Sequence, residues 1–334
     1  MFSIKLFFSF NIHIKLNELY QETLFQQSIN QEKIKSKIME EVKISSPKVD
    51  VELVLYQIPE PVNGTVLKRP SFHCKSPYMA DVVIEQELGE TACEVLAHTP
   101  SLGCCGLAEK KSNVILSKIE SKTAKSSHRV ELSIHRDGLN EEIVGINPKL
   151  SEVIAERCLQ NNCIDGLYNV KSYKREVTQL NSRFDFAGVD NEGREFVMEI
   201  KSVPLADYVD APKKEKKKLL EEIPEEQKKF NNKIAYFPDG YRKNNTDLVS
   251  PRALKHIQEL QEIVETTDKR GILCFMIQRA DASSFQPSNI DPLYKLAVQT
   301  AWKNGVEIKT VQVKWDENGK CVYVRNDLPI NLFN

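Results

Sequence analysis

Residues 182–202, SRFDFAGVDNEGREFVMEIKS, place three charged side chains inside two runs that otherwise read as half-buried β-strand. Side chains alternate across a strand, so Glu199 and Lys201 share one face while Met198 and Ile200 take the other. In the run before, Arg183 and Asp185 share a face opposite Phe184 and Phe186, and Asp190, Asn191 and Gly193 mark a hairpin turn between the two. The register of that hairpin decides the chemistry. An odd loop of three or five residues sets Asp185 opposite Glu199, whereas a four-residue loop puts them on opposite faces. In the odd register the Cβ atoms lie about 5 Å apart. Two carboxylates that close repel, and a shared Mg²⁺ or Mn²⁺, which prefers carboxylate and water oxygens, is the simplest remedy. Lys201, one pleat further on, points to the same place. There an ammonium can steady an attacking water or the charge on a phosphoryl group. On its own the D-x(13)-E-x-K spacing is a common pattern, and a charged, solvent-facing strand edge accounts for it equally well.

The elements that would hold these residues are legible around them. LSEVIAERCLQ carries Leu150, Val153, Ile154 and Cys158 at helical spacing, which leaves Glu156 off the apolar stripe and free to face the site. SYKREVTQL adds a strand before the hairpin. Ser250-Pro251 is an N-cap and first-turn pair for the helix RALKHIQELQEIVE. ILCFMIQ is an unbroken apolar run, typical of a strand covered on both faces. Asp291-Pro292 opens the helix PLYKLAVQTAWKN, Gly305 ends it, and VEIKTVQVKW follows as a strand. The order α-β-β-β-α-β-α-β over residues 143–334 predicts an α/β arrangement, a mixed sheet flanked by helices. A lysine- and glutamate-rich insertion at 211–233 reads as a solvated helical excursion, with a phosphate-contacting lysine cluster as the alternative.

Residues 49–142 follow a different grammar, giving an α+β protein overall. Short alternating runs (VELVLYQI, MADVVIEQEL, ACEVLAH, NVILSKI, RVELSIHR) suggest a small β-barrel or sandwich, punctuated by Pro59, Pro61, Asn63 and Gly64 and by the Gly103–Gly106 turn. Within it, KRPSFHCKSPY groups Lys68 and Arg69 with Phe72, His73 and Tyr78, the basic and aromatic mixture that single-stranded nucleic acids favour, although a surface loop with packed rings explains it as well. Residues 1–48 form an appended segment. Its apolar start, with Lys5 and Lys15 and no acid before Glu18, is compatible with organelle targeting or with a plain extension.

The composition is that of an ordinary globular chain: 41% apolar, 28% charged, net charge −1. No stretch has the length of a membrane span. The eight cysteines lack paired C-x-x-C units, which argues against a structural zinc site; Cys93, His98, Cys104 and Cys105 are close enough in sequence to offer a metal site as the alternative, and the expected setting is intracellular and reducing, cytoplasm or nucleus.

From Val144 onward the chain resembles the sugar fermentation stimulation protein (SfsA) family. The resemblance rests on VGINPKLSEVIAERCL, REVTQLNSRFDF, VMEIKSVPLAD, AYFPDG, VSPRALKHIQEL and GILCFMIQRADASSFQPSNIDPLYKLAV, in family order. It implies a C-terminal domain similar to PD-(D/E)xK nucleases of the restriction-endonuclease type, behind an N-terminal domain resembling an OB-fold. By the same resemblance Asp185 and Glu199 are metal ligands, Lys201 is the catalytic lysine, and Glu156 is a further ligand or water-orienting acid. Asp239 is a neighbour of the site, and Arg252, Lys255 and His256 are basic positions facing phosphate. The sequence departs from the family in AHTPSLGCCGL at 97–107, in Ala253 where a glycine is typical, and in the 211–233 insertion. The implied function is a Mg²⁺- or Mn²⁺-dependent DNA phosphodiesterase. The alternative is a non-catalytic DNA-binding regulator on the same fold. Nucleic acid is the partner in either case, with no membrane or small-molecule cofactor, and a homodimer is left open.

Overall fold

The unbroken apolar run becomes a strand buried from Gly271 to Ile277. A seven-stranded mixed sheet is assembled around it in the computed structural model, which describes residues 52–84, 93–121, 123–238 and 248–333. The extension at 1–48 and Asp239 lie outside the described residues. The first strands are β1 (Val54–Gln57), β2 (Val62–Lys68), β3 (Met79–Ile84), β4 (Cys93–His98), β5 (Asn113–Lys118), β6 (His128–Asp137) and β7 (Asn140–Gly145). Then come helix α1 (Pro148–Gln160), the meander β8 (Ser172–Gln179), β9 (Ser182–Val189) and β10 (Glu195–Val203), and the short β11 (Ala206–Asp207). Helix α2 (Lys213–Glu222), β12 (Lys233–Phe237), helix α3 (Pro251–Thr266), β13 (Arg270–Ile277) and β14 (Ala282–Pro287) follow. Helix α4 (Pro292–Lys303), β15 (Glu307–Trp315) and β16 (Lys320–Arg325) complete the chain.

The large sheet runs β1-β16-β15-β13-β10-β9-β8. Its centre, β10, β13 and β15, is parallel and the flanks are antiparallel. Alternation along these central strands builds two separate cores. Met198, Ile200, Ile272, Cys274 and Met276 pack with Ile154 and Cys158 of α1. Val197, Val203, Leu273 and Phe275 pack with Ile257 and Leu260 of α3 and with Val298 of α4. The helices begin where their caps require. Asn147, Ser250 and Asp291 accept backbone N–H bonds from Lys149, Ala253 and Tyr294, each immediately before a proline in the first turn. No helix among the described residues is long and apolar enough to cross a membrane.

The small sheet runs β4-β3-β2-β5-β6-β7, and parallel pairing of β4 with β6 closes its first five strands into a barrel. That connectivity is the OB arrangement, and Val66, Val82, Val114, Leu116 and Val130 fill its interior. Two expectations need correction here. VELVLYQI is no barrel strand: β1 pairs with β16 at the edge of the large sheet. Asn63 and Gly64 are not turn residues but lie within β2. A Cβ on Gly64 would meet Val82 Cγ1 at 2.8 Å and the Val83 carbonyl at 2.9 Å, so glycine marks close strand packing here rather than a break. The 211–233 insertion does contain an exposed helix, α2, and it leads into a strand the sequence reading passed over, β12, in a three-stranded sheet β11-β12-β14.

Gly145 sits where the barrel meets the large sheet. Its N–H donates to the Gln278 carbonyl at 3.0 Å, and a Cβ there would stand 2.2 Å from Gln278 Oε1. That side chain cannot swing aside freely, because it bonds Ser151 Oγ at 2.9 Å and accepts from Trp315 Nε1 at 2.9 Å. Gly145→Ala is therefore expected to lower unfolding free energy by about 1–3 kcal/mol, read as an earlier urea midpoint at unchanged slope.

Candidate active site

The β9–β10 ladder runs from Val189–Glu195 through Gly188–Phe196 and Ala187–Val197 to Phe186–Met198. The loop is thus the five residues 190–194, closed by Asp190, whose carboxylate accepts from the Glu192 and Arg194 N–H groups. This is the odd register, in which the next rung joins Asp185 to Glu199. At that rung the ladder opens, and Ile200 N–H donates 2.7 Å to Asp185 Oδ2. On the other side, the rung that would join Glu176 of β8 to Asp185 is missing, and Glu176 has φ +53°. A non-glycine residue in the left-handed region kinks its strand. The kink breaks the alternation expected from sequence: Phe184 packs into the α3 side of the sheet and Phe186 into the α1 side. Asp185 consequently occupies the fork between β9 and β10.

Glu199 lies 3% exposed on the α3 face of β10. Its Oε1 receives Lys201 Nζ and, at 2.5 Å, Nδ1 of His256 from α3, whereas its Oε2 is buried with no partner among the described residues. Burial alone would raise this carboxyl; the Lys201 charge and the His256 bond outweigh it and hold Glu199 below its ordinary value. Asp185 goes the other way. Burial, then the Glu199 charge, push it up to about 7 against the Ile200 N–H bond and Lys201. Glu152 of α1 adds to that push. Arg252 Nε donates to His256 Nε2 at 3.4 Å, which fits the tautomer with its proton on Nδ1. Asp185 and Glu199 Oε2, an elevated carboxyl beside an unpartnered buried oxygen, form the oxygen set that suits a hard cation.

The structure redistributes several other residues. Glu156 is held by Arg175 Nη1 at 2.8 Å and by the Tyr173 hydroxyl at 3.3 Å. The helix acid whose charge reaches Asp185 is Glu152, one turn earlier, which also stands off the apolar stripe, and that was the available signal. His256, expected to face phosphate, is 3% exposed because the inward face of α3 carries it onto Glu199. Lys255 donates to the Asn181 carbonyl at 2.6 Å, and Arg252 is exposed in the first turn of α3. On the barrel, the Arg69 side chain is only 4% exposed and clamps Thr99 Oγ1 and the carbonyls of Pro77 and Ser101, so it pins a loop rather than facing nucleic acid. Lys68 Nζ sits 3.0 Å above the ring of Phe72, which is 71% exposed. Among the described residues, His73, Asp81 and Glu94 alone bring three ligand atoms within 4.8 Å of one another. Both Asp81 oxygens there already accept, from Ser71 Oγ and Phe72 N–H.

The Asp185 shift fixes a sign for pH dependence. A carboxyl raised on folding leaves its favourable contribution intact below the unfolded aspartate value near 4, and it is lost as pH climbs through about 7. Asp185→Asn keeps an acceptor for Ile200 N–H and removes the titration. With metal chelated, the variant should melt several degrees above the parent at pH 8, an effect on the order of 2–4 kcal/mol, with the gap closing near pH 4. Equal melting at pH 8 would contradict the assignment.

Residues 149–319 match the family model of the "sugar fermentation stimulation protein RE domain". A sugar fermentation stimulation protein homolog from Citrifermentans bemidjiense is 30% identical over 256 residues, spanning 75% of this chain and 90% of the relative. Another from Clostridium perfringens is 27% identical, spanning 76% and 93%. The solved structure of Pyrococcus furiosus SfsA in complex with Ca²⁺ superposes with a TM-score of 0.62 at 18% identity, covering 84% of this chain and 99% of that one, which shows a shared fold. The barrel, the sheet with its kinked hairpin and these matches together make the chain a member of the sugar fermentation stimulation protein family.

Proposed function

We propose that this protein is a divalent-metal-dependent phosphodiesterase acting on nucleic acid, DNA in the first instance. The observation that carries the reading is the buried, unpartnered Glu199 Oε2 next to Asp185, with Lys201 on the same carboxylate. Mg²⁺ or Mn²⁺ is the cation class that fits these oxygens, and a Ca²⁺ complex of the Pyrococcus furiosus relative agrees with a hard-cation site. Asp185 and Glu199 would hold the ion, with Glu152 as the helix acid in reach, taking the role first assigned to Glu156. When bound, such an ion supplies Lewis-acid polarisation of a phosphoryl oxygen and lowers the pKa of a coordinated water.

The chain's own groups do the remaining work. His256 fixes the rotamer of Glu199 through Oε1 and so keeps Oε2 turned outward from that pair. Lys201 keeps a positive charge beside the carboxylates, where charge builds up on phosphoryl oxygens in the transition state. Arg252, exposed at the start of α3, supplies a contact for a neighbouring backbone phosphate. All eight cysteines are free, which supports an intracellular, reducing setting.

The second reading, a DNA-binding regulator without catalysis, draws on one observation: Lys201 and His256 both already donate to one oxygen of Glu199. A cleavage screen with Mn²⁺ against single-stranded, duplex and branched DNA and RNA separates the two. The nuclease reading expects Lys201→Ala to lose at least a hundredfold in cleavage while still binding the same DNA. Salt-sensitive binding with no cleavage across the panel would favour the regulator. Because a cation must displace the Asp185 proton, Mn²⁺ should raise the melting temperature more at pH 8 than at pH 5.5, and Glu199→Gln should abolish that gain.

A further inference from the structure

A buried tyrosine shares the layer that holds Glu199. Tyr294 occupies the first turn of α4, where the Asp291 cap accepts its backbone N–H at 3.1 Å. Its side chain is fully buried and packs on the α3 side of the large sheet with Val197, Val203, Leu273 and Phe275. Glu199 and Lys201 alternate onto that same face of β10, between Val197 and Val203. An aromatic chain fixes the ring and leads back to the site. Tyr294 meets Phe237 edge-on with centroids 5.5 Å apart, Phe237 meets Phe275 at 5.9 Å, and Phe275 is the rung partner of Lys201.

The hydroxyl on that ring has no hydrogen-bond partner among the described residues. Buried tyrosine hydroxyls are ordinarily bonded, and one left unpaired is destabilising. The carboxylate closest to it in sequence is already committed: Asp291 accepts Tyr294 N–H through Oδ1 and Val249 N–H, at 2.9 Å, through Oδ2. Burial first, then the Glu199 charge, and only then that of Asp291 on the same helix, hold the phenol well above its ordinary pKa. The group therefore stays neutral beside the acid pair. Glu199 for its part spends Oε1 on Lys201 and His256, and its Oε2 is likewise buried without a partner among the described residues.

Two fixed polar groups thus bear on each other, both unsatisfied and not bonded to one another. What fits them is a small polar ligand that a carboxylate oxygen can hold and a phenol oxygen can orient. A hydrated hard cation meets both demands, because its charge answers the carboxylate and its water has protons for the lone pairs of a hydroxyl. We infer that Tyr294 is a positioning residue: its hydroxyl accepts a hydrogen bond from a water in the shell of the ion that Glu199 Oε2 holds, and so orients that water relative to Asp185 and Lys201. This role rests on the cation reading of the Asp185 site and extends it to α4.

Tyr294→Phe removes only the oxygen. Two measurements on the full chain test the assignment: melting in EDTA, and calorimetric titration with Mn²⁺ at pH 8, with Glu199→Gln as the control for the cation site itself. In EDTA the Phe variant should melt at or above the parent temperature, since it sheds an unsatisfied group. It should bind Mn²⁺ about tenfold more weakly, the loss typical of an outer partner of a metal site. A residue that merely packs the layer would leave that affinity unmoved. Equal affinity in parent and Tyr294→Phe, with none in Glu199→Gln, would overturn the inference and leave the cation site standing. Melting clearly below the parent in EDTA would overturn it as well, because the hydroxyl would then serve the fold. Mn²⁺ binding that is absent from the parent, or that survives Glu199→Gln, would overturn site and inference together.

Discussion

The Glu199 carboxylate is the point on which the surrounding structure turns. It stands on a central strand of the large sheet, 3% exposed, where an unpaired negative charge would cost several kcal/mol. One oxygen is answered by Lys201 from its own strand and His256 from α3; the other is answered by nothing among the described residues. Removing either donor would leave a buried charge short of partners, so α3 must dock with His256 inward. The helix does so because Ala253, Ile257 and Leu260 share that face and bury against Leu273 and Phe275. Burial and then the same charge keep Asp185 from ionising easily. Sheet, helix and acid pair are thus one electrostatic unit, and its unfilled valence points to a cation.

Much of this was legible in the sequence, for reasons that can be named. Asp190 and Gly193 marked the hairpin turn but left its register open, and the β9–β10 ladder settles it as odd; the starts of α3 and α4 followed from proline after Ser250 and Asp291. β13 announced itself because a strand covered on both faces has no polar alternation. What failed were inferences that needed the partner strand. Alternation predicts Phe184 and Phe186 on one face, but Glu176 across the ladder takes a left-handed conformation and turns the strand at Asp185. Glu152 and Glu156 share a helix face, and only the position of Arg175 on β8 decides which of them is neutralised directly at 2.8 Å. Long-range pairing also put β1 beside β16, more than two hundred and sixty residues away, beyond the reach of any local pattern.

The two cores explain how one chain can carry a barrel and a sheet as a working whole. Leu55, Ile115, Leu132 and Ile143 from the N-terminal strands enter the same cluster as α1 and the central sheet strands. The barrel is therefore packed against the sheet face that bears α1, and Gly145, Gln278 and Trp315 form a polar joint within that apolar contact. Arg69 and Lys68, read from sequence as one basic pair, divide accordingly: one clamps a barrel loop from within and the other stays at the surface over Phe72.

The central claim is that Asp185 and Glu199 together hold a divalent cation. The most direct measurement is anomalous diffraction from crystals grown with Mn²⁺ at pH 8. The account predicts a peak coordinated by the Asp185 carboxylate and Glu199 Oε2, with His256 still on Oε1. Manganese bound only at the His73, Asp81 and Glu94 cluster on the barrel, with Glu199 contacting Lys201 and His256 alone, would contradict it.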